Sequence, residues 1–213
     1  MLKRISYLLT FVTLVSFGNA QLLGSAGFKV AYSSALQKLD FSDPSIDLGS
    51  KRIDAINVAL FVEWFESSPV SILSQLEFMQ RGRQEEFLLT APSGPEPIGV
   101  VIKHLRISYL SVPVFAKLNI LRQGISLYLL AGPRIDFMIA YKPDDPAAFL
   151  SKDLLAKTIV GASVGVGTKF PMFFFPLILD IRYNFDLKDS FNNGFARINN
   201  NALDIWLGVA FDI

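Results

Sequence analysis

Two stretches of this chain alternate apolar and polar side chains with a period of two, and this pattern limits its possible folds more than any other feature. In residues 177–185 every odd-numbered position is Leu, Ile, Tyr or Phe, whereas Asp180, Arg182 and Asn184 occupy three of the four even-numbered positions. The same alternation returns in residues 203–213. Successive side chains of a β-strand point to opposite faces, so both stretches predict strands with two unlike faces. Each is close to the roughly 9–11 residues that a tilted strand needs to cross a bilayer.

Six further segments show this alternation, so the sequence predicts eight strands in all. Their expected bounds are residues 27–32, 55–65, 70–87, 104–119, 125–141, 158–170, 177–185 and 203–213. In the fourth strand the alternation slips near Tyr109 and Leu110, which indicates a β-bulge.

The predicted connections between these strands alternate in length. Short turns are expected at residues 66–69, 121–124 and 171–176, and long segments at 33–53, 88–103, 142–157 and 186–201. An even number of strands with short turns at one end and longer loops at the other is typical of outer-membrane β-barrels. Three consecutive phenylalanines in the last short turn suit an aromatic girdle at a membrane interface.

Composition agrees with a membrane barrel and excludes several kinds of site. Of the 213 residues, 51% are hydrophobic and 18% are charged, which is too apolar for a disordered chain and low in charge for a soluble one. The absence of Cys excludes disulfides, thiolate metal sites and a cysteine nucleophile. The formal net charge is +1 and no basic tract is present, so nucleic acid is not expected as a partner.

The first twenty residues have the form of a cleavable secretory signal peptide. Two basic residues precede a short apolar run, and the small residues Gly18 and Ala20 stand at positions −3 and −1 of the expected cleavage site. The apolar run is shorter than the roughly 20 residues of a membrane-spanning helix. We therefore expect residues 1–20 to be removed during export, and residues 21–213 to form a single barrel domain.

Alternation alone does not say which face of the barrel is inside, because a secreted barrel of the lipocalin type turns its apolar face inward around a ligand. The polar faces of this chain carry acids and bases interleaved with Gly and Ser, and the apolar faces are nearly free of charge over a bilayer length. We therefore predict an all-β fold, an eight-stranded antiparallel up-and-down transmembrane β-barrel. Its interior is expected to hold a paired polar network of Glu63, Glu77, Lys117, Arg134, Asp136, Asp180, Arg182 and Asp204.

No group of residues carries the sequence signature of a catalytic, cofactor or metal site. His104, the only histidine, has no nucleophile motif beside it, so a solvated residue at the rim is favoured over a general base. The glycines of residues 161–167 lack phosphate-loop spacing and are expected to make room for bulky interior neighbours. The aspartates of residues 40–47 lack EF-hand spacing. We therefore expect no enzymatic activity, no cofactor and no bound metal.

Four segments of the predicted middle strands resemble the PorT-like outer-membrane β-barrel family of Gram-negative bacteria, often named porin family proteins. They are residues 109–118 (YLSVPVFAKL), 128–134 (YLLAGPR), 161–169 (GASVGVGTK) and 179–184 (LDIRYN). The resemblance implies an eight-stranded barrel in the cell outer membrane, usually without an assigned activity. Some members of that family serve a protein-secretion and gliding apparatus.

Three kinds of function stay open at the level of sequence. The favoured one is a structural, binding or envelope-assembly and export accessory role exerted through the extracellular loops, because eight strands leave an interior that side chains can fill. Its partners would be outer-membrane lipid and envelope or secretion-apparatus proteins. The first alternative is a narrow transport channel, and the second is a lipid-modifying outer-membrane enzyme.

Overall fold

The structure is a computed structural model that describes residues 23–41, 51–66, 68–90, 97–121, 124–143, 155–172, 174–192 and 196–213. Within these residues we find nine β-strands and no helix that is long and apolar enough to cross a membrane. The strands are β1 (Leu23–Phe41), β2 (Ile53–Trp64), β3 (Val70–Thr90), β4 (Pro97–Leu121), β5 (Ser126–Pro143), β6 (Thr158–Phe170), β7 (Leu177–Asp186), β8 (Phe191–Asn192) and β9 (Ala196–Asp212). The predicted signal peptide lies outside the described residues, so its cleavage stays a prediction.

Eight long strands close into a ring. From β1 to β7 each strand pairs antiparallel with the next one along the chain, β9 follows β7, and β9 then pairs with β1. The two-residue strand β8 only extends the sheet beside β9. The predicted eight-stranded antiparallel up-and-down barrel is therefore confirmed. Closure satisfies the backbone hydrogen bonds of every long strand without exposing a sheet edge to lipid.

The two ends of the barrel differ. At one end, called the turn end here, the short connections link β2 to β3, β4 to β5 and β6 to β7. In the second of these turns Gly124 has a φ of 71°, a left-handed conformation that glycine adopts without steric penalty. The other end, called the outer end here, carries the other four connections. Three of them are longer than any connection at the turn end, as predicted, whereas the one between β3 and β4 has six residues, as many as the turn between β6 and β7.

Strands reach further toward the outer end than the alternation predicts. β3 and β4 form a hairpin that stays paired almost to its tip, so the predicted connection at residues 88–103 reduces to residues 91–96. β1 and β9 likewise extend into the predicted connections at residues 33–53 and 186–201. These predictions of long connections are wrong because the alternation signal needs two unlike faces. Beyond the apolar belt the two faces become alike: residues 80–86 are polar or Gly on both faces, and residues 87–89 and 98–102 are apolar or Gly on both, so the signal fades while backbone pairing continues.

The outward faces of the strands form a continuous apolar belt. On β4 every outward residue from Leu110 to Ile120 is apolar, and Ile120 is 56% exposed. At a rise of about 3.3 Å per residue and a tilt of about 40°, these positions span about 25 Å, which is the height of the lipid band around a membrane barrel. At the turn end Phe174 is 93% exposed and Phe175 packs against Phe211, in the place of an interfacial aromatic girdle.

The register of β4 against β5 shifts where the sequence indicates a bulge. Ser108 pairs with Ala140, whereas its neighbour Tyr109 pairs with Met138, so that Ile139 is an extra residue in β5. On β4 the inward residues stay odd-numbered through this point, although Ser108, at an outward position, is buried as well. The irregularity therefore lies where the sequence predicts it, but the inserted residue belongs to the partner strand.

Candidate functional site in the barrel interior

The buried side chains that the structure describes include equal numbers of cations and anions. Among the described residues, the buried cations are Lys29, Arg81, Arg83, Lys117, Arg134 and Arg182, and the buried anions are Glu63, Glu77, Asp136, Asp180, Asp186 and Asp204. Six charges of each sign leave this set formally neutral, which a low-dielectric interior favours because an unpaired buried charge costs several kcal/mol.

The structure places all eight residues of the predicted polar network in this interior. Four further charged residues were missed by the sequence reasoning, namely Lys29, Arg81, Arg83 and Asp186. Lys29 lies in the weakly alternating first strand, both arginines lie in the far half of β3 where residues 80–86 no longer alternate, and Asp186 follows the predicted end of β7. All four share the parity of their strand's inward face, so extending the alternation would have found them.

Arg182 of β7 is the centre of the network. Its guanidinium donates hydrogen bonds to Gln75 Oε1 at 2.7 Å and to Glu77 Oε1 at 3.0 Å, both on β3. β3 and β7 lie on opposite sides of the eight-stranded ring, so these bonds cross the full interior. The guanidinium also lies 5.0 Å from the ring centroids of Phe115 and Trp206, which hold it between two aromatic faces.

Asp180 binds three donors from three different strands. Lys29 Nζ of β1 and Arg182 Nη2 of β7 each donate to its Oδ2 at 2.7 Å, and the Tyr128 hydroxyl of β5 donates to Oδ1 at 2.5 Å. Gly167 on β6 faces this group, and a Cβ there would overlap Asp180 and Tyr128. The glycine therefore makes room for bulky interior neighbours, as the sequence predicts.

A second ion pair lies nearer the turn end. Lys117 Nζ donates to both carboxylate oxygens of Glu63 at 2.8 Å, and the Ser71 hydroxyl donates to Glu63 at 2.6 Å. Below it Lys169 of β6 forms an ion pair with Glu66 in the turn after β2. β2 and β6 are opposite in the ring, so this pair spans the mouth of the barrel.

The Glu66 carboxyl is the acidic partner of this ion pair. Burial has the largest single effect and raises the pKa of Glu66, but the hydrogen bond and the positive charge of Lys169 together lower it below its ordinary value. Glu66 is therefore ionised at neutral pH, and the ion pair across the turn end persists.

A third group occupies the outer half of the interior. Arg134 donates to Asp136 and, at 2.5 Å, to Asp186, and Arg81 of β3 lies 3.6 Å from Asp186 across the barrel. The Ser111 hydroxyl donates to Asp136 at 2.5 Å. Arg134 and Asp136 therefore form a hydrogen-bonded cluster of their own, which among the described residues shares no ion pair with Asp180 or Arg182.

Asp204 is bound differently from the other predicted network residues. It accepts a hydrogen bond from Asn184 Nδ2 at 2.7 Å, and the Ser163 hydroxyl donates to Asn184 Oδ1 at 2.5 Å. In the part of the chain that the structure describes, Asp204 has no ion-pair partner. Seven of the eight predicted network residues are therefore paired with a residue of opposite charge, and the eighth, Asp204, is hydrogen-bonded to the amide of Asn184.

Apolar side chains close the outer mouth. Leu105, Ile107 and Tyr109 of β4 pack with Ile159 and Ile198, and Leu155, which precedes β6, inserts among them. Two backbone hydrogen bonds hold the flanking connections over this cluster: Ala156 N–H donates to Ser190 O, and Ser190 N–H donates to Ile198 O, each at 2.8 Å. Among the described residues, apolar side chains therefore fill the outer end of the interior, and the Lys169–Glu66 ion pair spans the turn end.

The remaining candidate residues are not part of a built site. His104 lies in β4 opposite Gln84 and is half-buried, at the outer end of the barrel. Asp43 and Asp47 lie outside the described residues, as does the side chain of Asp40. Within the described ranges, no group of three or more His, Cys, Asp or Glu residues is arranged to hold a metal ion.

Solved structures that resemble this chain are outer-membrane proteins. Neisserial surface protein A (NspA) has 15% identity and a TM-score of 0.47, with 88% of this chain and 99% of that chain covered. OprG from Pseudomonas aeruginosa has 8% identity and a TM-score of 0.48, covering 91% and 98%. Ail, the attachment invasion locus protein of Yersinia pestis, has 14% identity and a TM-score of 0.42, covering 88% and 99%.

A search of curated proteins finds no match. The family model described as outer membrane protein beta-barrel domain matches residues 17–192, which is most of the chain. That match agrees with the closed ring of eight strands, the apolar belt and the polar interior. The chain belongs to the outer membrane protein β-barrel domain family, and its place is the outer membrane.

Proposed function

We propose that this protein is a closed outer-membrane barrel that serves as a structural or binding component of the cell envelope and acts through its outer end. One observation carries the proposal: Arg182 reaches across the interior to Gln75 and Glu77, so that charged side chains meet where a channel would need open space. Partners recognised at the outer end would be envelope or secretion-apparatus proteins.

The proposed orientation places the longer connections outside the cell. Outer-membrane barrels keep short turns on the periplasmic side and longer loops outside. The exposed aromatic turn containing Phe174 suits the periplasmic interface, and the extended β3–β4 hairpin stands beyond the lipid at the opposite end. An outward surface of this kind supports binding, because loops on a rigid scaffold are the common place for recognition.

Membership of the PorT-like subfamily is part of the proposal. The four segments that carry the resemblance form parts of β4, β5, β6 and β7, and they include Lys117, Arg134, Asp180 and Arg182 of the interior. These four residues are buried in the interior. The segments that carry the resemblance therefore contain side chains that fill the interior and argue against conduction. A role beside a secretion apparatus would follow from that subfamily.

Transport through the interior is tested by conductance. The purified barrel in planar bilayers is expected to show no stable porin-sized conductance, and liposomes containing it should stay impermeable to small sugars, because both mouths and the centre are filled. Arg182→Glu and its control Arg197→Glu, an equal charge change at an exposed position, should both remain silent. Porin-sized openings whose ion selectivity changes with Arg182→Glu, but not with Arg197→Glu, would support the channel alternative instead.

Orientation is tested by protease sites in the connections, at positions outside the described residues. A cleavage sequence inserted near Asp145 or Asn193 should be cut by a protease added to intact cells, because these connections belong to the outer end. The same sequence near Ser67 or Gln123 should be protected, since these positions belong to short turns. Western blotting of the fragments measures the result, and cutting at the short turns alone would reverse the orientation.

A further inference from the structure

Two cations stand directly opposite one another on the outward face of β4 and β5. Arg106 pairs in register with Lys142, and both side chains are exposed. We call them the outer cation pair. Residues directly opposite on neighbouring antiparallel strands have Cβ atoms about 4.5–5.5 Å apart, and like charges at such positions repel one another. A sheet that places two cations there pays a small penalty that an external anion would remove.

The bulge at Ile139 creates this pair. Below the bulge the even-numbered residues of β5 face the interior, as Arg134 and Asp136 do. The extra residue reverses the parity, so that Tyr141 packs against the apolar cluster of the outer mouth and Lys142 turns outward. If the register found below the bulge continued without the extra residue, Tyr141 rather than Lys142 would stand opposite Arg106. β-bulges commonly re-aim a side chain in this way.

The described surroundings of the pair offer no compensating acid. The residue opposite Arg106 on the other neighbouring strand, β3, is Gly82, and the next outward position toward the belt is occupied by Ser108. No carboxylate of the described residues forms an ion pair with Arg106 or Lys142. An arginine and a lysine side by side match a phosphate, since arginine binds two of its oxygens at once and lysine supplies a compact charge.

The pair lies at the depth of lipid headgroups. Leu110 ends the apolar belt on β4 and Ile139 ends it on β5, where Ile139 is 52% exposed. Arg106 stands four residues beyond Leu110 and Lys142 three residues beyond Ile139. On a strand tilted by about 40° these offsets place the two Cα atoms about 10 Å and about 8 Å above the belt. Headgroups occupy about 5–8 Å on each side of the hydrocarbon core, within reach of both long side chains.

We infer that the outer cation pair binds a phosphate group of an outer-leaflet glycolipid, whose acyl chains lie against the apolar belt below. The inference rests on the proposed orientation, because only then does the pair face the outer leaflet. A lipid is favoured over a soluble anion because Ile139, Phe137 and Leu110 continue directly beneath the two charges as a lipid-facing surface. One ligand would thus satisfy the charges and cover the apolar residues together.

The test uses the purified full-length barrel in phosphatidylcholine nanodiscs, with diphosphoryl lipid A as the probe and native mass spectrometry as the measurement. The double variant Arg106→Gln/Lys142→Gln should weaken lipid A binding by about tenfold or more, because two phosphate contacts are lost. The matched control Lys188→Gln/Arg197→Gln removes two exposed cations elsewhere at the outer end and should change binding less than about twofold.

A third variant separates binding from folding. Lys142→Glu places a carboxylate opposite Arg106, so it should fold at least as well, measured as heat-modifiable protein, and yet lose lipid A binding. Dephosphorylated lipid A should bind the unaltered protein weakly. An equal loss in both double variants, no loss in either, or equally tight binding of free pyrophosphate would overturn the inference. The assay contains no protein partner, so its outcome is independent of the proposed binding function, and the protease experiment tests the orientation separately.

Discussion

Replacing Arg182 with Met is expected to destabilise the barrel by about 3–5 kcal/mol, because breaking a buried ion pair leaves uncompensated charge behind. Methionine keeps much of the side-chain volume between Phe115 and Trp206, so the loss would come from charge rather than from a cavity. Asp180 would keep only Lys29 as a cationic partner, and Glu77 would lose the arginine that faces it at 3.0 Å. Urea unfolding in phospholipid vesicles, followed by Trp fluorescence, measures the change in free energy.

Two further variants show whether the charge pair across the barrel causes this loss. Arg197→Met removes the same charge from an exposed position at the outer end and should change the free energy of unfolding by less than about 0.5 kcal/mol. In the double variant Glu77→Gln/Arg182→Met, β3 no longer carries the carboxylate that the loss of Arg182 leaves unpaired. Part of the lost stability should therefore return. Strictly additive effects of the two substitutions would contradict direct coupling across the interior.

The sequence predicts which face of a strand each residue occupies, because period-two alternation is a local property. Asp180 and Arg182 are assigned to one common face from their own strand alone, since apolar residues flank each of them on both sides. The apolar faces of all the strands, which are nearly free of charge, then identify that common face as the interior. Arg81 and Arg83 obey the same parity and lie inside, but the outward residues beside them are no longer apolar. The two faces of β3 no longer differ in polarity here, so period-two alternation gives no signal for these two arginines.

Which side chains pair across the interior depends on how the strands close into a barrel, and this is not a local property of any one strand. Lys117 binds Glu63 two strands away, whereas Arg182 reaches β3 on the opposite side of the ring. Which inward residues share one level depends on how far the register is staggered around the whole barrel. Alternation leaves this stagger undetermined, so the interior composition was predictable while the separation into three clusters was not.

The bulge shows the same limit at a single residue. The slip in the alternation near Tyr109 predicted an irregularity, and the register of β4 against β5 does shift between Ser108 and Tyr109. The sequence of β4 alone does not reveal that the insertion lies at Ile139. The outward turn of Lys142 beside Arg106 therefore became apparent only when both strands were seen in register.

Replacing Leu207 with Arg is expected to prevent most of the protein from assembling in the membrane. Leu207 lies at the centre of the outward apolar row of β9, is 54% exposed, and pairs with Leu179 on β7 and with Val30 on β1. An arginine on the lipid face near the midplane costs about 2–4 kcal/mol. Since about 1.4 kcal/mol is tenfold, the folding equilibrium constant would fall by about 30-fold to 700-fold. Leu179→Arg, at the paired position, should act in the same way.

The control for this prediction is the same kind of substitution at a different depth. Ile102 is also outward on β4 and 49% exposed, but it lies eight residues beyond Leu110, outside the apolar belt. Ile102→Arg should therefore leave the fraction of heat-modifiable protein unchanged, because the penalty for arginine falls to about 0–1 kcal/mol near and beyond the interface. Equal tolerance of Leu207→Arg, Leu179→Arg and Ile102→Arg would mean that the apolar belt does not face lipid. A loss graded by depth, greatest at Leu207 and absent at Ile102, is what a barrel embedded along this belt requires.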